Sequence, residues 1–164
     1  MADILVNLTD PVARRQSLLP GWTVGHVITH LARNAQAMHR QIQAAQRGEL
    51  IEQYRGGASG RAAEIDAGAL RSAADIIDDA MHWAGRLDEL FAGLPDSCWA
   101  LPVRTIRGNS HPIALLPLRR WREAEVHLVD LDLGFGPGDW PRTWGVASCQ
   151  SSSPKLPRKQ TREN

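Results

Sequence analysis

Two pairs of residues in this 164-residue chain have the types and spacing of metal ligands. His26 and His30 stand four apart in one segment, and Glu123 and His127 stand four apart in another. On a helix such partners project from the same side, about 5–6 Å apart, so each pair offers two donor atoms to one divalent ion. Helical bundles build ion sites from side chains on facing helices. One histidine of the first pair together with Glu123 and His127 makes a set of three ligands with an open position, the mark of a catalytic rather than a structural zinc site. His30 fits better than His26, because it follows Val27 and precedes Asn34 at the edge of an apolar stripe, deeper in its segment. Asp130, three beyond His127, falls on the same face, where it could orient a ligand or hold a substrate group. The plainer reading is packed or solvated histidines and a carboxylate that balances Arg119, Arg120 and Arg122. That arginine cluster suits either an anionic substrate or a charged helix face.

The segments around these residues are helical in pattern. Thr23 reads as an N-cap, and Val27, Leu31, Ala35, Met38 and Ile42 follow at steps of three and four as far as about Arg47, with Gly48 closing the helix. A second helix is expected from about Leu70 to Phe91, with Ala73, Ile77, Ala80, Ala84, Leu87 and Phe91 inside and Arg71, Asp75, Asp78 and Asp79 largely outside. A third is expected from about Leu115 to Leu131, with Pro117 in its first turn or at a kink, and with Leu118, Trp121, Val126, Leu128 and Leu131 available for packing. Between the first two, residues 54–60 hold three glycines and read as a flexible connection, with one helical turn at 61–67. Residues 96–112 read as a loop or a short extended piece. With a short helix at Met1–Leu8, the pattern predicts an all-α bundle over residues 1–141.

Composition narrows the function. The net charge of +1 hides two segments: residues 1–142 hold 15 arginines against 17 acids, whereas 143–164 hold four bases and one acid, including both lysines, Lys155 and Lys159. The tail from 142 to 164 reads as basic and disordered. The body lacks the clustered basic stripe of a nucleic-acid binder, and no apolar run is long enough for a membrane span. Cys98 and Cys149 form neither a disulfide framework nor a thiolate metal site. With no secretory signal at the N-terminus, cytoplasm is the expected compartment. Gly56, Gly57 and Gly60 lack the context of a phosphate loop. His39, His82 and His111 read as surface residues, and Trp22, Trp83, Trp99 and Trp121 as core.

The motif Leu19-Pro20-Gly21-Trp22-Thr23-Val24-Gly25-His26-Val27-Ile28-Thr29-His30-Leu31-Ala32-Arg33-Asn34-Ala35 resembles the opening of the N-terminal domain of mycothiol-dependent maleylpyruvate isomerases, in the DinB-like superfamily. Arg120-Trp121-Arg122-Glu123-Ala124-Glu125-Val126-His127-Leu128-Val129-Asp130-Leu131 resembles its second motif. The similarity runs over about residues 17–141 and takes in Gly56-Gly57, Leu94-Pro95-Asp96 and Trp99. It implies a DinB-like four-helix bundle with a divalent metal, usually zinc, on His30, Glu123 and His127. It also implies a catalytic part for Asp130, with His26 near the site but not a ligand. The implied cosubstrate is the small thiol mycothiol, and the implied partner an electrophile: thiolate adds to the cis double bond of maleylpyruvate, the new single bond rotates, and expulsion gives fumarylpyruvate. Thiol S-transfer is the nearest alternative chemistry. The family pattern also has a longer first helix and a C-terminal domain that contributes an arginine, for which Met1–Leu8 and the polar tail offer no match. The alternative reading is therefore a non-catalytic metal-binding bundle.

Overall fold

The structure, a computed structural model, describes Leu5 and residues 8–140. Apart from Leu5 and Leu8, the expected helix at Met1–Leu8 lies outside the described residues, as does the expected tail over 142–164. The chain runs α1 (Asp10–Ala13), α2 (Val24–Gln46), α3 (Gly57–Ala69), α4 (Ala73–Ala92), β1 (Pro102–Arg104), β2 (Ser110–Pro112) and α5 (Leu116–Asp130). The strands form an antiparallel hairpin with Val103 opposite His111. The rest of the architecture is helical, as expected of a DinB-like bundle.

Thr23 sets the start of α2. Its backbone is extended and its side chain accepts from the His26 N–H, an arrangement that stabilises a helix by about 1 kcal/mol. The Thr23 N–H donates in return to His26 Nδ1 at 3.2 Å, so His26 takes the place that Glu or Gln holds in most capping boxes. The helix ends as expected, with Gly48 at φ +77° beyond the Arg47 cap. Buried over most of its length, α2 passes through two apolar clusters. One gathers Leu5, Val24, Val27, Ile28, Ile76, Leu128 and Leu131. The other gathers Met38, Ile42, Leu87, Leu94, Val103, Ile113 and Leu116. Each fully buried aliphatic side chain of this size contributes about 1.5–3 kcal/mol.

Several expectations are corrected. Residues 54–60 are not a flexible connection throughout, because α3 begins at Gly57 and continues to Ala69. Gly56 and Gly57 take φ +70° and +62° to turn the chain into the helix, and a Cβ on Gly60 would lie 1.9 Å from the Arg55 carbonyl oxygen. The glycines thus build a tight helix entry. α4 starts at Ala73 rather than Leu70, because the Ser72 side chain accepts from the Asp75 N–H. Asp79, expected outside the apolar stripe, pairs there with Arg33 and Arg71. His39 is buried against Trp83, with ring centroids 5.7 Å apart. Leu118 and Val126 are exposed rather than packed; Pro117 sits in the first turn of α5, one of the two places expected for it. No described helix is long and apolar enough to cross a membrane.

Two outcomes follow from this packing. Gly60→Ala should destabilise the fold by about 1–3 kcal/mol, seen as a lower urea midpoint at unchanged slope. Burial, with Arg86 and His82 nearby, holds the His39 pKa below its ordinary 6.5. The unfolded chain therefore takes up this proton first as pH falls, so His39's contribution is complete above pH 6.5 and declines below it. Folding stability measured from pH 7.5 to 5 should fall less steeply in His39→Gln than in the parent; equal slopes would count against the assignment.

Candidate metal centre

One face of α2 is largely polar although buried. His30, Asn34, Met38 and Gln41 follow at steps of four, four and three, which aligns them on the helix, and the three polar ones are buried. Buried polar groups need partners, and these partners bring in the rest of the site. Gln41 Nε2 donates to the Arg104 carbonyl at 2.7 Å and pins β1. Arg120 Nη1 donates to the Leu31 carbonyl at 2.9 Å and to Asn34 Oδ1 at 3.1 Å, which fastens α5 to α2. One turn further along α5, Glu123 Oε1 lies 2.8 Å from His30 Nε2 and 3.5 Å from His127 Nε2. On the far side of the His127 ring, Nδ1–H donates to Asp130 Oδ2 at 2.8 Å.

The electrostatics follow from that geometry. Burial opposes charge on Glu123, but hydrogen bonds from His127 and His30 outweigh it and hold the carboxyl far below the usual range. His30 is pushed down, by burial first and then by the Arg61 and His127 cations, against the pull of its bond to Glu123. His127 is raised, because its bonds to Glu123 and Asp130 overcome its own burial. Arg61 Nη2 stands 3.0 Å from His30 Nδ1. At 3.5 Å from Nε2 as well, this guanidinium lies across the imidazole face, and because an ionised carboxylate only accepts, His30 Nε2–H donates to Glu123.

The donor set fits a divalent cation. One ligand atom from each of His30, Glu123 and His127 lies within 4.8 Å of the other two. Ligands about 2.0–2.2 Å from a tetrahedral ion stand roughly 3.4 Å apart, so small side-chain shifts suffice. Two imidazoles and a carboxylate suit zinc and its neighbours among divalent metals, and Asp130 holds the His127 ring in the orientation that aims Nε2 at the cluster. The three face a cavity of about 580 Å³, also lined by Tyr54, Arg61, Arg104, His111, Arg119 and Arg122.

Of the histidines, His26 stays outside the cluster, its Nδ1 committed to Thr23. The arginine cluster divides: Arg119 and Arg122 face the cavity, whereas Arg120 turns to α2. His111, expected on the surface, lines the cavity and receives Arg119 Nη1 at 3.2 Å. Trp22, expected in the core, packs against the first apolar cluster and also stands 5.6 Å from the His30 ring. Its place just before the Thr23 cap was the available signal. No local pattern marked Arg61 or Tyr54, which reach the cavity from outside the two motifs.

The sequence model of the mycothiol maleylpyruvate isomerase N-terminal domain matches residues 1–132. The chain belongs to this family. Two solved structures are similar over 85% of it, each with a TM-score of 0.80: a crystal structure of the mycothiol-dependent maleylpyruvate isomerase, at 29% identity, and one of a histidine-to-alanine mutant, at 28%. The matched region is 58% of each of those chains, so this chain spans less than two thirds of their length. A comparison with curated proteins returned no match.

Proposed function

We propose that this chain is a divalent-metal, mycothiol-dependent enzyme that adds a thiolate to an electrophilic small molecule, by cis–trans isomerisation of the maleylpyruvate type or by thiol S-transfer. The observation that carries this reading is the placing of His30, Glu123 and His127 at one wall of an arginine-lined cavity in a chain of this family. His30, Glu123 and His127 would hold the cation, zinc fitting the donor set, and Asp130 would fix the His127 ring. A cation bound there would lower the pKa of a nearby thiol so that it reacts as thiolate. The cavity arginines would draw in an anionic electrophile.

The chemistry balances without an outside oxidant or reductant. The thiolate sulfur bonds to one carbon of a cis double bond, and the electron pair moves into the adjoining carbonyl system. The remaining single bond rotates, and return of the electrons expels the same thiolate and leaves the trans alkene. In S-transfer the thiolate displaces a leaving group instead. A second reading is a metal-binding bundle without turnover of its own, which would use the same three ligands.

Metal analysis of the purified chain should find about one divalent ion per molecule, lost in His30→Ala. Asp130→Asn should weaken metal affinity about 10–100-fold in chelator competition. No bound metal in the parent would remove the site assignment. Incubation with mycothiol and maleylpyruvate, or with a generic electrophile, should yield isomer or conjugate; metal without product would favour the second reading.

A further inference from the structure

Arg61 is bound unlike every other half-buried arginine of the described residues. Arg33 and Arg71 donate to Asp79, Arg40 to the carbonyls of Glu52 and Gln53, and Arg120 to Leu31 and Asn34. Each therefore donates to a carboxylate or a carbonyl oxygen. Among the described residues, no carboxylate or backbone carbonyl accepts from Arg61, and no ion pair includes it. Its guanidinium lies against two rings, 5.7 Å from the centre of Trp22 and 5.6 Å from that of Tyr54. Nη2 rests on His30 Nδ1 at 3.0 Å. The Tyr54 hydroxyl also takes a hydrogen bond from Arg61; aromatic faces hold a guanidinium through its π surface and leave its remaining in-plane donors available.

We infer that Arg61 is the carboxylate-binding residue of the cavity, held between Trp22 and Tyr54 so that its donor fork receives an anionic group of the electrophile beside His30, Glu123 and His127. The inference rests on the proposed reading of this cavity as the substrate site. It separates Arg61 from the other cavity arginines: Arg104, Arg119 and Arg122 are solvent-exposed, and Arg119 already serves His111. Among the described residues Glu123 is the only carboxylate on the cavity wall, and it is engaged by two imidazoles and forms no ion pair with Arg61. A planar fork with charge-assisted donors prefers a carboxylate to a neutral amide of the same shape. Arg61 is thus a specificity-determining residue supplied by α3, the helix that carries none of the candidate ligands.

The test uses the full chain stripped of metal by chelator, with maleate as probe and neutral maleamide as control, followed by calorimetry. Maleate should bind and maleamide should not; Arg61→Gln should weaken maleate about 10-fold or more, and Arg61→Lys less. Equal maleate affinity in parent and Arg61→Gln, or no binding to the parent, overturns the inference. A purely structural Arg61 would lower thermal stability in Arg61→Gln without changing maleate affinity. Should Arg61→Gln fail to fold, the parent decides: its Arg61 Nε–H resonance, assigned by its loss in Arg61→Lys, should shift along the maleate titration. A resonance that stays still while those of other arginines move is the contrary result. Maleate binding with no metal found in the purified parent would sink the metal-dependent reading and leave Arg61's role standing; metal in the parent without a response at Arg61 would do the reverse.

Discussion

The carboxylate of Glu123 sits where burial works against its charge, and it is kept ionised by imidazoles from two helices. Breaking up such a partly buried charge group by removing one member costs more than the group contributes intact, so the surrounding fold is arranged to keep all three together. α2 must present His30 from a buried position, which its Thr23–His26 cap allows by fixing where the helix begins. α5 must approach α2 closely just before Glu123, and Arg120 secures that approach through Leu31 and Asn34. Asp130 then closes the arrangement from the other end of the helix, through His127 Nδ1.

Charge around the cluster is lopsided. Four arginines line the cavity against a single carboxylate whose charge is already answered. A low-dielectric wall with one sign of charge concentrates counter-ions, and here the concentrated species are anions. The cluster and the arginines have complementary tasks. On the proposed reading the trio of two imidazoles and a carboxylate would hold a cation and the arginines would draw anions toward it, while the contacts of Arg61 with Trp22 and Tyr54 keep its guanidinium over the His30 ring.

Local signals made part of this readable before any coordinates. The two i, i+4 pairs, the Thr23 cap, Gly48 and the apolar steps of α2 all act within a turn or two of chain, and the helix they predict is the one observed. The separation of His30 from His26 was also visible in outline, though the reason for it, the commitment of the His26 ring to the cap, needs coordinates. What could not be read depends on contacts across long stretches of sequence. Arg61 meets Trp22, Tyr54 and His30 from three separate segments. The pairing of Asp79 with Arg33 and Arg71 likewise joins two helices and a loop. Gly60 misled in a different way: a small residue needed for close approach to Arg55 looks, in sequence, the same as one that confers freedom.

The β-hairpin has a separate anchorage. Gln41 ties it to α2 at Arg104, about three turns along the helix from His30, and its turn over 105–109 carries none of the three clustered ligands. Extending a surface turn adds little closure entropy. The candidate ligands and this part of the cavity wall are therefore inherited through different parts of the chain. Descendants of this scaffold can exchange Ile106 or the whole turn and so reshape that wall, while the helical trio stays as it is.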